Sequence, residues 1–153
     1  MPIQFATSLE LDLLHARWWG RVSFDEFKAT FAAYLDDENY KPGRRELIDV
    51  GGLEDFDIDF ARARAMLRIV NSQSPAVQVK TQTVIWSPNE EIYGLGRMYQ
   101  QIAELADGIE VQIFHHQKGA LAALDLSYPS FGALLERYEF LPAKPRGGIK
   151  TAL

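Results

Sequence analysis

The chain has 153 residues, 47% of them hydrophobic, enough for one well-buried core and too few for two domains to be expected. Lys and Arg number 16 against 21 Asp and Glu, a formal net charge of −5 that repels a phosphate backbone and argues against binding to nucleic acid or to anionic membranes. With no cysteine, disulfides, thiol catalysis and thiolate metal sites are excluded.

In chain order, Ile3 to Ser8 and Leu11 to Trp19 alternate or run apolar and predict an opening antiparallel pair, with Gly20 closing the second strand. Ser23 with Glu26 three residues later is a capping box, and Phe24, Phe27, Phe31, Tyr34 and Leu35 follow on one helical face until Asn39 and Pro42-Gly43. Glu46-Leu47-Ile48-Asp49-Val50 reads as a buried strand, Gly51 to Asp57 as an acidic loop and Ile58 to Val70 as a helix. Val77 to Trp86 alternates as a strand, and Ser87-Pro88-Asn89-Glu90 starts a third helix with Ser87 as its cap. That helix runs through Ile92, Leu95, Tyr99, Ile102 and Ala106 to Asp107-Gly108. Ile109 to Phe114 is a short strand and Gln117 to Leu124 a short helix. The order β-β-α-β-α-β-α-β-α predicts an α/β fold with a mixed, mostly parallel five-stranded sheet over residues 1–126. Ser130 can cap a last helix to about Tyr138, and Pro142, Pro145 and Gly147-Gly148 predict a flexible tail within 127–153.

The loop from Gly51 to Asp59 lies at the carboxyl end of a strand and the amino end of a helix, where open α/β sheets bind ligands. It contains no Ser, Cys, His, Lys or Thr. Gly51, Gly52, Asp55, Asp57 and Asp59 are therefore candidates for contacts with a partner rather than for catalysis. Asp55, Asp57 and Asp59 match the start of a calcium loop, but Phe60 stands where the turn glycine belongs and Met66 where the bidentate Glu belongs, so no metal is expected. His115 and His116 are strand neighbours that point to opposite faces and cannot easily share an ion. Tyr93-Gly94-Leu95-Gly96-Arg97 falls inside a helix rather than before one, so its glycines read as close helix packing and not as a phosphate cradle. Rings are plentiful, and Trp18, Trp19 and Trp86 are candidates to line an apolar pocket. Trp18 and Trp19 should face opposite sides of the sheet, so the second side must also be covered, by a helix, the carboxyl-terminal segment, another subunit or a ligand.

The element order, the Asp49-Val50-Gly51-Gly52-Leu53 segment and the strand Glu110-Val111-Gln112-Ile113-Phe114 before an Ala-Leu-rich helix resemble the STAS superfamily, in its SpoIIAA-like branch of small bacterial proteins. The resemblance spans roughly residues 3–126. In members that antagonise anti-sigma factors, an Asp-Ser-Ser-Gly turn presents a serine to a partner kinase. With Asp49 as anchor that turn falls on Asp57-Ile58-Asp59-Phe60, so Asp59 takes the place of the phosphorylated serine and the switch chemistry is absent. An aspartate there is also what the positive end of a helix favours for structural reasons, by about 0.3–1 kcal/mol.

The resemblance implies a non-catalytic interaction or regulatory module with a protein partner. Because SpoIIAA-like sheets also resemble the lipid-binding half of the Sec14 fold, the alternative is a carrier or sensor of an apolar small molecule or lipid. No nucleophile and base stand at an expected spacing and no motif calls for a cofactor, so the chain is not expected to be an enzyme. Met1-Pro2-Ile3-Gln4-Phe5 carries no basic region before an apolar run, and no stretch approaches the roughly 18 apolar residues of a membrane span, so a cytoplasmic protein is expected, with a homodimer compatible with an unassigned apolar face.

Overall fold

The computed structural model describes residues 2–71, 80–106 and 108–146. The opening strands are β1 (Ile3–Ser8) and β2 (Leu13–Val22), paired antiparallel from Ile3↔Trp18 to Ser8↔Leu13. The second strand does not stop at Gly20. That residue adopts a φ of 67° and sits at one of two register shifts, beyond which Arg21 and Val22 continue the ladder. Helix α1 (Phe24–Leu35) begins with the expected capping box: Ser23 Oγ accepts from the Glu26 amide at 3.0 Å, and Glu26 Oε1 accepts from the Ser23 amide at 2.9 Å. Such a cap contributes about 1 kcal/mol.

The largest departure from expectation is strand β3, which runs from Arg45 to Phe56 and absorbs the predicted acidic loop. Its first half pairs with both neighbours, while Gly52 to Phe56 pairs with β2 alone, as Trp19↔Gly52, Gly20↔Leu53, Arg21↔Asp55 and Val22↔Phe56. The glycines are required by close approach rather than by a turn. A Cβ on Gly51 would lie 2.3 Å from the Trp86 ring, and one on Gly52 would lie 3.1 Å from the Trp19 Cβ. Bulges along this pair let Val50, Leu53 and Phe56, three apart, all bury on the same core, so strict alternation is lost where the glycines stand.

Helix α2 (Phe60–Asn71), strand β4 (Thr81–Trp86), helix α3 (Glu90–Ala103), strand β5 (Ile109–Phe114), helix α4 (Gln117–Ala123) and helix α5 (Phe131–Arg137) follow. The predicted strand start at Val77 lies outside the described residues. Asn89, not Ser87, caps α3, accepting from the amides of Glu91 at 2.8 Å and Ile92 at 3.3 Å. Ser87 instead donates its hydroxyl to the Asn89 carbonyl. Among the described residues the sheet has six strands rather than five, in the order β5-β4-β3-β2-β1-β6. Its extra member, β6 (Leu141–Pro142), comes from the segment expected to be a loose tail and pairs antiparallel with Thr7 and Ala6 of β1. Of that tail, residues 147–153 lie outside the described residues. Pairings β2–β3, β3–β4 and β4–β5 are parallel, as the crossover helices require.

Alternation along the strands separates two cores. On one face, Val22, Val50, Val111 and their neighbours pack under α1, α2 and α3. On the other, Leu13, Leu47 and Val84 are fully covered by Leu121, Leu124, Phe131 and Leu134 from α4, α5 and their surroundings. The second face is thus covered by the chain itself. His15 is buried there between the rings of Phe131 and Phe140, and burial, helped by the charge of Arg17, pushes its imidazole down to about 4. At the start of β3, Arg45 donates to the carbonyls of Leu124 and Leu11, each at 2.6 Å, tying the second core to the opening hairpin. Among the described residues no helix is long and apolar enough to cross a membrane.

Helix α3 offers a paired test of packing. Gly94 has open space where a Cβ would go, whereas a Cβ on Gly96 would lie 2.1 Å from Ile113 Cδ1 on β5. Gly94→Ala is expected to stabilise the fold by about 0.5–1 kcal/mol through helix propensity. Gly96→Ala gains the same propensity but must force Ile113 to move, so it should be at least about 1 kcal/mol less stable than Gly94→Ala in urea unfolding.

Candidate functional site

Between the sheet and the helices α1, α2 and α3 lies a cavity of about 160 Å³. The sheet supplies Ala16 and Trp18 from β2, Ile48 and Val50 from β3, and Ile85 from β4. The helices close it with Phe27 and Phe31 from α1, Met66 from α2, and Ile92, Leu95 and Tyr99 from α3. The alternation that buries Leu47 and Val84 on the far face turns the residues on either side of them into this space.

One of those inward positions is charged. Glu46 precedes Ile48 and Val50 on the same face of β3, is half-buried, and lines the same space. Oε1 accepts the hydroxyl of Thr83, its cross-strand neighbour on β4, at 2.7 Å. Burial pushes the Glu46 carboxyl up to about 7, and the Thr83 hydrogen bond opposes only part of that rise. Tyr34 on α1 and Tyr99 on α3 also line the cavity, and both phenols are raised well above their ordinary value, first by burial and then by the negative charge of Glu46. Among the described residues that line it, none is Lys, Arg or His.

The residues singled out from sequence are placed elsewhere, with one exception. Trp18 lines the cavity and packs edge-on against Phe56, with ring centroids 5.1 Å apart. Trp19, its neighbour on the opposite side, is 36% exposed. Trp86 belongs to the other core, edge-on to Phe131, and donates its indole N–H to the His115 carbonyl at 2.9 Å. Gly51 and Gly52 are strand residues, the first against the Trp86 ring and the second beside the Trp19 Cβ. Asp55, Asp57 and Asp59 are exposed at the end of β3 and the start of α2. Asp59 accepts the Arg62 amide at 2.8 Å, a helix-capping contact, and Asp57 accepts the Arg62 guanidinium at 2.9 Å. The two carboxylates expected to await a partner thus serve the helix start and its arginine. His115 stacks on Tyr93 at 3.7 Å between centroids, while His116 stands at the start of α4. Among the described residues no three His, Asp or Glu side chains gather as a metal site.

Glu46, Thr83 and the two tyrosines were not among the sequence candidates. The signal was present in one form: a glutamate two residues before Ile48 and four before Val50 in a buried strand is a charge on an apolar face. Its folded value is raised, so the stability it gives is fully present below its ordinary value of about 4.5 and is lost as the pH rises through about 7. Glu46→Gln keeps an acceptor for Thr83 and cannot ionise. It should match the parent near pH 4.5 and exceed it by about 2 kcal/mol above pH 8, read by urea unfolding across that range. A constant difference at all pH values would show that the carboxyl titrates as an ordinary surface group.

No family model and no curated protein matches the sequence. Among solved structures, the chain is similar to an uncharacterized protein of the DUF3478 family from Shewanella loihica PV-4, described as having a SpoIIAA-like fold. The two share 17% identity, the match covers 80% of this chain and 93% of that one, and the TM-score is 0.50. At that identity the likeness is one of fold, and the fold is the SpoIIAA-like one that the element order led us to expect.

Proposed function

We propose that the protein is a non-catalytic binding module that holds a small, largely apolar molecule between its sheet and helices α1, α2 and α3. The observation that carries this reading is the cavity itself. At about 160 Å³ it is close to the roughly 150 Å³ of an engineered apolar cavity that admits benzene, and apolar side chains make most of its wall. An unfilled apolar space of that size beside a core costs stability, because lining atoms lose the contacts that a filled interior would give them. A ligand restores those contacts. Polar groups in the cavity are few and convergent, the usual pattern of a small-molecule site.

A protein partner at the start of α2 is the second reading. It is supported by Phe60, which is 59% exposed between the acidic Asp57 and Asp59 and the guanidinium of Arg64. Exposed rings of this kind are frequent anchors in interfaces.

Native mass spectrometry on protein purified without detergent separates the two. Extra mass that disappears on denaturation, and that is missing from an Ile85→Trp variant whose indole fills the cavity, is the expected result. A clean apo mass in both proteins would count against a retained ligand and move the weight to the partner reading. Asp57→Lys together with Phe60→Ala would then be expected to weaken a copurifying protein at least about tenfold without unfolding the domain.

A further inference from the structure

The cavity is apolar but not neutral in its demands. Among the described residues its wall contains one carboxyl, that of Glu46, and no cationic side chain. Among the described residues the hydrogen bond that reaches this carboxyl comes from Thr83. The groups around it are Thr83 from β4, Tyr34 from α1, Tyr99 from α3 and, further out, Tyr40 after α1, so each neighbour is a hydroxyl and none brings a positive charge. The nearby cations are held elsewhere, Arg44 by the Asp12 carboxylate at 2.7 Å and the Asn39 carbonyl at 3.2 Å, and Arg146 by the Asp37 carbonyl at 3.2 Å, over the Tyr40 ring. A carboxylate in such a place lacks the counter-charge that buried ions normally have.

We infer that the cavity's ligand is a small amine, an apolar body of about ring size carrying one protonated nitrogen that pairs with the Glu46 carboxylate. This inference rests on the reading that the cavity holds a ligand. An ammonium group supplies the missing charge and hydrogen-bond donors together, which a neutral alcohol cannot do. The lining rings of Trp18, Phe27, Phe31, Tyr34 and Tyr99 suit both the apolar body and a cation beside it. An anionic amphiphile such as a fatty acid would bring a second negative charge to Glu46 with no cation to receive it. A volume of about 160 Å³ limits the buried part to a single ring with a short arm. The raised carboxyl adds a proton linkage: pairing with an amine must first ionise Glu46, so binding weakens as the pH falls.

The test uses the full chain and three probes of one shape, 2-phenylethylamine, ethylbenzene and phenylacetate, titrated while the methyl resonances of Ile48, Ile85 and Leu95 are followed by NMR. Shifts at those methyls locate binding in the cavity. The expected result is that the amine binds, that it binds at least about tenfold more weakly at pH 5.5 than at pH 7.5, and that phenylacetate does not bind. In Glu46→Gln the amine should weaken at least about tenfold while ethylbenzene binding, if measurable in the parent, is unchanged. Amine affinity unaltered in Glu46→Gln, or phenylacetate binding as well as the amine, overturns the assignment of ligand class. Ethylbenzene binding without the amine does the same and leaves the cavity reading standing. If none of the probes moves the cavity methyls, the cavity reading itself falls.

Discussion

The structure depends on the parallel pairing of β2 with β3. Every other element is placed by it. Its register sets Leu13 beside Arg45 and Ala16 beside Ile48, and the pleat then sends Leu14, Ala16 and Trp18 of one strand, with Glu46, Ile48 and Val50 of the other, to a single face. A slip by one residue would exchange that set for Leu13, His15 and Leu47 and turn both cores inside out. The bulges beyond Arg17 then allow the same pair to leave strict alternation and extend past β4, carrying Leu53 and Phe56 beneath α1 and α2. Gly51 makes that extension possible because a Cβ there would run into the Trp86 ring, and Gly52 leaves room beside Trp19 where a Cβ would be tight.

The two faces of the sheet solve the packing problem differently. Beneath α4 and α5, leucines and alanines together with Phe131 and Trp86 fill the space to the point that Leu13, Leu47, Val84 and Leu121 have no accessible surface left. Beneath α1, α2 and α3 large rings meet edge to face, as Trp18 does with Phe56 and Phe5 with Tyr34, and a space remains between them and the sheet. Glu46 sits in that looser core. Its neighbour Leu47, one step along the chain, is in the tight one.

Much of the fold was legible in the sequence because its elements carry strong local signals. The Ser23–Glu26 box set the start of α1, and the alternation from Ile109 to Phe114 set both ends of β5. What failed did so for identifiable reasons. Two adjacent glycines and a run of acids signal a turn, and nothing local distinguishes glycines that turn from glycines that make room for tryptophans at distant positions. Strand β6 is a two-residue edge strand containing a proline, too short to have a period. The alternation of β4 already separated Trp86 from Thr83 and Ile85, but periodicity does not say which face holds a cavity. For the same reason Glu46 was readable as an inward charge and not as the polar centre of a site, since the space in front of it is made by three helices from other parts of the chain.

The carboxyl-terminal segment does more than follow the last helix. Asp37 is buried just beyond α1, where its carboxylate accepts the Lys144 amide at 3.0 Å and its carbonyl accepts Arg146 Nε at 3.2 Å, while the Asp36 carbonyl accepts the Arg146 amide at 2.7 Å. Between these anchors and α5, Leu141 and Pro142 lie along the outer side of β1. An exposed edge strand is an open template on which a foreign strand can polymerise. Here the chain occupies part of its own template, and the proline at that place withholds the donor that a further strand would need. Growth of the sheet past β1 therefore requires the segment to be peeled away first, which makes this short, irregular stretch a guard against edge-to-edge aggregation.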